Sequence, residues 1–147
     1  MNIVRDLLQT KSDQVWTISP QATVYAALEL MAAKNIGAIV ITENDRVVGI
    51  FSERDYARKV ILLGRTSKTT PVSELMTRDV LYVSQTDTIE NCMALMTNKH
   101  LRHLPVIEAG KLVGLVSIGD VVKAVISDHE FTIRELEHYI TGGHTSK

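Results

Sequence analysis

Two four-residue stretches carry the side chains best placed for chemistry: Ser52-Glu53-Arg54-Asp55 and Ser117-Ile118-Gly119-Asp120. Each follows an apolar run that contains Val-Gly, and each precedes a stretch with helical periodicity. A strand handing over to a helix at Ser-x-x-Asp brings a hydroxyl, a carboxylate and the N–H groups of the first turn to one spot. Such N–H groups attract phosphate, and a carboxylate accepts two hydrogen bonds from a ribose diol. Arg54 adds a planar donor fork suited to phosphate. Gly119 fills the equivalent place in the other copy, so the two sites are expected to differ. The same residues also read as plain helix starts, Ser as N-cap with an acid three positions on. Their repetition favours a site, although duplication preserves caps as readily as sites.

The remaining reactive residue types point nowhere else. Cys92 falls in the helical stripe Ile89, Cys92, Met93 and Met96, where a small core residue is expected rather than a nucleophile. His100 and His103 flank Leu101-Arg102, with no cysteine or acid spaced to complete a metal set. The chain carries no G-x-S-x-G, Walker loop or zinc motif, so catalysis is not expected. A net charge of −1 gives no electrostatic case for nucleic acid or an anionic membrane surface. At 147 residues, 45% hydrophobic and 22% charged, the chain is an ordinary globular domain. One cysteine excludes an internal disulfide. No apolar run approaches the ~18 residues of a membrane span, and the N-terminus lacks a signal-peptide core, so a cytoplasmic protein is expected.

The elements that must position the two Ser-x-x-Asp stretches come from an internal repeat. Val15–Val60 lies on Val80–Val125 without a gap, identical at twelve of 46 positions, among them Thr23/Thr88, Lys34/Lys99, Gly49/Gly114, Ser52/Ser117 and Asp55/Asp120. Each copy reads strand, helix, strand, strand, helix. In the first, Val15–Ile18 is a β-prone run ended by Ser19-Pro20, and Val24, Ala27, Leu28 and Met31 form one face of a helix. Strands are expected at Ala38–Thr42 and Arg46–Phe51, then at Leu104–Ile107 and Lys111–Val116, short enough and apolar enough to be buried on both faces. Helices begin near Glu53 and Gly119. The organisation is therefore an N-terminal helix and lead-in over 1–14, repeat one over 15–63, and a linker over 64–79 with a turn of helix at Pro71–Met76. Repeat two covers 80–127, and a C-terminal helix and tail cover 128–147. That last helix starts at a Ser127/Glu130 capping box, shows an apolar face of Ile133, Leu136 and Ile140, and ends at Gly142-Gly143.

The ordered motifs resemble a tandem pair of CBS domains, also called a Bateman module, of the stand-alone bacterial type. The resemblance rests on Ser19-Pro20-x-x-Thr23-Val24, Asn35-Ile36-Gly37-Ala38 with Arg102-His103-Leu104-Pro105-Val106, and the two Val-Gly strands running into Ser-x-x-Asp. It covers roughly residues 10–128. It implies an α/β (α+β) fold of two pseudo-symmetric β-α-β-β-α repeats packed through their sheets, and a non-catalytic regulatory function. It further implies two clefts shared between the repeats for an adenine nucleotide such as AMP, ADP, ATP, NAD or S-adenosylmethionine. One cleft would combine Trp16, Thr17, Ile18, Gly37, Ala38 and Ile39 with Ser117, Gly119 and Asp120. The other would combine Leu81, Tyr82, Val83, Arg102, His103, Leu104 and Pro105 with Ser52, Arg54 and Asp55. Strand backbone would read the adenine edge, each Asp would hold a ribose, and Lys11, Arg54, Arg58 and Arg102 would face phosphates. Trp16 has two readings, beside the adenine or in the core. Homodimerisation through helices and an unidentified protein target are expected of such a sensor of energy or redox state. The competing expectation is an interaction module with vestigial clefts.

Overall fold

The computed structural model describes residues 2–11 and 14–128. Its elements run α1 (Val4–Gln9), β1 (Thr17–Ile18), α2 (Val24–Lys34), β2 (Ala38–Glu43), β3 (Arg46–Ser52), α3 (Glu53–Asp55), α4 (Ile89–Lys99), β4 (His103–Glu108), β5 (Lys111–Ser117) and α5 (Ile118–Asp128). After α3 the chain continues in wider, π-helical turns over Tyr56–Ile61, and a 3-10 turn covers Val72–Glu74. The expected break at Ser127 is absent, because α5 runs through it to Asp128. The remainder of the expected C-terminal helix, with Ile133, Leu136 and Ile140, lies outside the described residues.

The repeat is visible in the hydrogen bonds. Thr23 and Thr88 start α2 and α4 by accepting from the N–H groups of Ala26 (3.1 Å) and Asn91 (3.0 Å), caps worth ~1 kcal/mol each. Both helices end on a left-handed residue, Asn35 at φ 55° and His100 at φ 57°. The second of the two histidines weighed as a metal pair, His103, sits in β4, so His100 and His103 serve different elements. In repeat one, β1 pairs parallel with β2, and β2 antiparallel with β3. Repeat two pairs β4 antiparallel with β5, with the register shifting at the same place, Val106/Ile107 against Ile41/Thr42. Its first strand contracts to one parallel bridge, Val83 to Val106, the counterpart of Ile18 to Ile41. β2 is buried on both faces over residues 38–41 and β4 over residues 104–106, as expected. In β3 and β5 burial alternates, because one face meets a helix and the other faces the neighbouring repeat or solvent.

Two hydrophobic cores result, and each takes in a segment from outside its own repeat. Val24, Ala27, Met31, Ile39, Ile41, Phe51 and Val60 enclose Val72, Leu75 and Met76 from the linker. Ile89, Cys92, Met96, Leu104, Val106, Val116 and Val121 enclose Val4 and Leu7 from α1. The two lead-ins are equivalent. Ile3 bridges to Thr88 as Pro71 bridges to Thr23. Gly114 lacks a Cβ where one would stand 2.7 Å from Leu8 Cδ2, and Gly49 does the same beneath Met76. α1 thus clasps repeat two and the linker clasps repeat one, which fixes both repeats in one unit.

Candidate functional site

Both carboxylates are held at a strand-to-helix junction by the same reciprocal box. The Ser52 N–H donates to Asp55 Oδ2 (2.9 Å), and the Asp55 N–H donates back to Ser52 Oγ (3.2 Å). Ser117 N–H to Asp120 Oδ2 is 2.8 Å, and the return bond is 3.1 Å. The next free donors are also spent. Glu53 N–H donates to Gly37 O at 3.0 Å and Ile118 N–H to Arg102 O at 2.8 Å. Two first-turn N–H groups of each helix are therefore already engaged within the chain.

Each carboxylate also meets a lysine, and here the copies diverge. Asp120 Oδ2 takes Lys11 Nζ at 2.6 Å, while Lys11 donates as well to Leu115 O at 2.7 Å. No hydrogen bond among the described residues reaches Asp120 Oδ1. Asp55 is filled on both oxygens: Ser52 Oγ adds to Oδ2 at 3.1 Å, and Oδ1 takes Thr77 Oγ1 at 3.3 Å and Lys59 Nζ at 3.2 Å. Burial on its own would raise the Asp120 carboxyl. The Lys11 ammonium and the Ser117 N–H outweigh it and hold the group below the usual carboxylate range.

Two cavities open near these carboxylates: Ser52 and Asp55 line the second, whereas Ser117, Gly119 and Asp120 line neither, and Asp120 meets the first only through Lys11. The first, about 650 Å³, is lined by Trp16 and Lys11 with the apolar Leu8, Val15, Ile36, Val113 and Leu115, and by Arg5 and Lys34. The second, about 430 Å³, brings together Ser52, Arg54, Asp55, Arg58, Arg102 and His103, as expected for the Asp55 side, and adds Lys59, Thr77, Lys99 and Leu101. Basic side chains concentrate there. Arg5, Lys11 and Lys34 with Arg54, Arg58, Lys59, Lys99 and Arg102 make eight of the chain's 16, against only Glu53 and Asp55 of its 17 acids.

Other expected members sit elsewhere. Gly37 lines the second cavity instead of the Asp120 side, because its carbonyl is tied to the first turn of α3 in its own repeat. Ala38, Ile39, Leu104 and Pro105 are buried in β2 and β4, and their side chains line neither cavity. Leu81 and Tyr82 are exposed, since the strand that would have paired them is reduced to the Val83 bridge, and Val83 itself is core. Thr17 is exposed and Ile18 packs on the first core. Gly119 is exposed beside Ser117 Oγ. Trp16 is half-buried at the first cavity, with Lys34 Nζ 4.1 Å from its ring centroid. His103 lines the second cavity while feeling Asp120 and Lys11 from the first side; burial is the main cause holding its pKa below 6.5. Cys92 is core, and burial, helped by Asp87, pushes its thiol up to about 11, far from a nucleophile.

Among the lining residues that escaped the sequence reading are Arg5, Lys34, Lys59, Lys99 and Thr77. Lys34 and Lys99 carried a signal, being identical in both copies at the last position of a helix. Lys59 and Thr77 have no repeat partner of like type, and only the fold brings them to Asp55.

A CBS-domain profile matches residues 4–61 and 72–127, which include both lead-ins and both carboxylates. The chain belongs to the CBS-domain family. A CBS-domain structure from Burkholderia ambifaria is similar at 46% identity, covering 87% of this chain and 96% of that one with a TM-score of 0.83. Another from Agrobacterium tumefaciens is 39% identical, covers 86% and 100%, and has a TM-score of 0.80. Among curated relatives, the mitochondrial CBS domain-containing protein CBSX3 of Arabidopsis thaliana is 38% identical over 150 aligned positions, 96% of this chain and 73% of that protein. The architecture is thus a tandem CBS pair, the fold of a regulatory, ligand-binding module. Among the described residues, no helix is long and apolar enough to cross a membrane.

Proposed function

We propose that this CBS pair is a non-catalytic cytoplasmic sensor that binds adenine nucleotides beside Asp120 and Asp55 and reports energy or redox state. The carrying observation is the concentration of half the chain's basic side chains on two cavities, one lined by Asp55 and the other joined to Asp120 through Lys11. An anionic ligand with a diol matches that chemistry. The first cavity adds Trp16 and aliphatic side chains suited to a flat base. A CBS pair of the same fold, 21% identical, is described in complex with 5-methylthioadenosine and S-adenosylmethionine, so the fold accommodates adenosine derivatives. AMP, ADP, ATP, NAD and S-adenosylmethionine all present the adenosine group this reading requires.

The working form is a homodimer that presents the ligand signal to a protein target. Its support is an apolar groove on α4 and α5 lined by Met93, Ile118, Val122 and Ile126, each more than 40% exposed. Ligand acts by differing affinity for two arrangements of that dimer. One observation favours the interaction-module reading instead: each carboxylate already finds a lysine within the chain, as a purely structural cap also would.

Calorimetric titration with AMP, ATP, NAD and S-adenosylmethionine separates the two. Micromolar binding of one ligand, weakened by Asp120→Ala, supports the sensor. Silence of folded protein across the panel at millimolar concentration leaves the interaction module, and turnover of a bound nucleotide would overturn the non-catalytic assignment.

A further inference from the structure

The two cavities offer different chemistry. The first is lined by Trp16 and aliphatic side chains beside Arg5, Lys11 and Lys34, and it meets Asp120 only through Lys11, whose partner carboxylate keeps an oxygen that no hydrogen bond among the described residues reaches. In the second, the Asp55 carboxylate has both oxygens filled by Ser52, Thr77 and Lys59. A ribose diol could bind there only by displacing bonds already made, at the cost of leaving polar groups unpaired. The second wall carries five cationic side chains, Arg54, Arg58, Lys59, Lys99 and Arg102, with Ile50 and Leu101 its only aliphatic members. Arg58, Lys99 and Arg102 line it with no carboxylate at ion-pair distance among the described residues, and Arg54 joins them through a bond to the His100 carbonyl at 2.9 Å. Four cationic side chains from two different repeats converge there, and the free acid on the wall is Glu53.

Narrowing the two-cleft reading above, we propose that the Asp55 cavity is a polyphosphate site that reads phosphoryl groups and not a nucleoside, leaving adenosine recognition to the Asp120 side. The ligand class is a short chain of phosphates, carried either as the tail of a nucleoside triphosphate or as an inorganic polyphosphate. Planar guanidinium forks from Arg54, Arg58 and Arg102 suit bidentate phosphate contacts, and Lys99 supplies a point charge. Charge density, not shape, sets the preference, so affinity should rise with phosphate number and fall with ionic strength. The inference rests on the nucleotide-binding reading only for the Asp120 side.

The test is calorimetry of the full chain with three probes: adenosine, inorganic tripolyphosphate and ATP. Tripolyphosphate is expected to bind one site, weakened about tenfold by Arg102→Ala or Lys99→Ala, each the loss of one charge-assisted contact. Both residues are exposed, so neither change threatens folding. Asp120→Ala should leave tripolyphosphate binding intact while weakening that of adenosine ~10–100-fold. ATP displacing tripolyphosphate assigns the site to a nucleotide tail, and failure to displace it assigns the site to the inorganic chain; the proposal stands in both cases. Adenosine competing with tripolyphosphate for one site overturns it, as does unchanged affinity in the Arg102→Ala/Lys99→Ala double variant or no tripolyphosphate binding at millimolar concentration. If tripolyphosphate binds while every adenosine compound fails, the sensor reading falls and this one survives. The reverse pattern sinks this proposal alone.

Discussion

Asp55 and Asp120 stand at equivalent positions of the repeat, each boxed by its serine and each neutralised by a lysine. The lysines come from different places. Lys59 lies one helical turn beyond Asp55 on the same helix, so its pairing is local. Lys11 arrives from the N-terminal lead-in, across more than a hundred residues of chain. Between the glycine-covering residue and the first repeat position, the first lead-in has six residues (9–14) and the second three (77–79). Lys11 sits on that longer stretch. On the shorter one, Thr77 instead pairs its backbone with Ile50, by bonds of 3.0 and 2.8 Å, and adds its hydroxyl to Asp55. A change of three residues in a connector has therefore left one carboxylate open on one oxygen and closed the other, with the Ser-x-x-Asp motif unchanged.

The largest effect separating the two should come from removing each carboxylate. Asp120→Ala deletes a charged acceptor with a free oxygen, and losing such a bond costs ~1.5–3 kcal/mol, a drop of ~10–100-fold in affinity for an adenosine compound. Asp55→Ala should leave adenosine affinity within about twofold and lower folding stability instead, since Lys59, Thr77 and the Ser52 N–H lose a shared acceptor at a cost of ~1–3 kcal/mol. Calorimetry and urea unfolding on the same two variants decide it. Equal losses of adenosine affinity would show that the filled carboxylate opens for ligand, and the contrast would collapse.

The two glycines give the next contrast, in stability alone. A Cβ at Gly49 would meet Met76 side-chain atoms and stand 3.1 Å from the backbone oxygen of Thr77, which the Ile50 bonds hold in place. A Cβ at Gly114 would meet only the end of the Leu8 side chain, which is half-buried and can turn aside. Gly49→Ala should cost ~1–3 kcal/mol by overpacking, and Gly114→Ala less than half of that. Matched urea midpoints for the two would show that α1 grips repeat two as firmly as the linker grips repeat one.

These lead-ins also mark where the sequence stopped being legible. The repeat from Val15 and from Val80 could be read because strand and helix periods, capping threonines and Val-Gly steps all recur at one offset. The preceding segments match too, Val4-Arg5-Asp6-Leu7-Leu8 with Val72-Ser73-Glu74-Leu75-Met76, but at an offset three residues longer, so a gap-free comparison passes over them. Hence α1 read as a flank and the 3-10 turn as linker, whereas each is core to the opposite repeat. In the sites, the carboxylates, serines and arginines were legible as residue types that recur. Which lysine reaches which carboxylate was not, because that depends on connector length and on the contraction of a first strand to the Val83 bridge.

Acid should act on His103 first. It lies half-buried in β4, opposite Ser117 and on the wall of the second cavity, and occupies the position held by Ala38 in repeat one. Burial lowers its pKa most; Asp120 pulls it back up, and Lys11 and Arg102 add to the lowering. With the folded value below 6.5, the unfolded chain takes up the proton first as pH falls. The stability from neutral His103 is thus whole above about pH 6.5 and drains away below it, until the folded imidazole also titrates. Asp120 behaves separately: its depressed value keeps its contribution present above the ordinary carboxylate range and loses it only as pH falls through the lower, folded value. Urea unfolding from pH 7.5 to 5 should show a decline that His103→Gln flattens. An unchanged slope in that variant would place the acid sensitivity on other groups.

The smallest contrast lies in the lysine pair that the repeat keeps identical. Lys34 rests over the Trp16 ring, a cation–π contact worth ~0.5–1 kcal/mol where solvent reaches it. At the equivalent place Lys99 has no such ring to meet, since Leu81 stands where Trp16 does in repeat one. Lys34→Met should therefore shift the emission of the single tryptophan and lower stability by less than about 1 kcal/mol, whereas Lys99→Met should change neither. The order reverses for ligand. Lys34 is engaged by an aromatic face that also offers itself to a base, so a base stacking on Trp16 must first move the ammonium aside. Lys99 is free to meet phosphate with nothing to displace. If Lys34→Met tightens adenosine binding while Lys99→Met weakens tripolyphosphate binding, one conserved pair of lysines has come to do opposite work in the two halves. If both variants weaken both probes alike, the halves are still equivalent, and the difference between Asp55 and Asp120 is one of packing rather than of recognition.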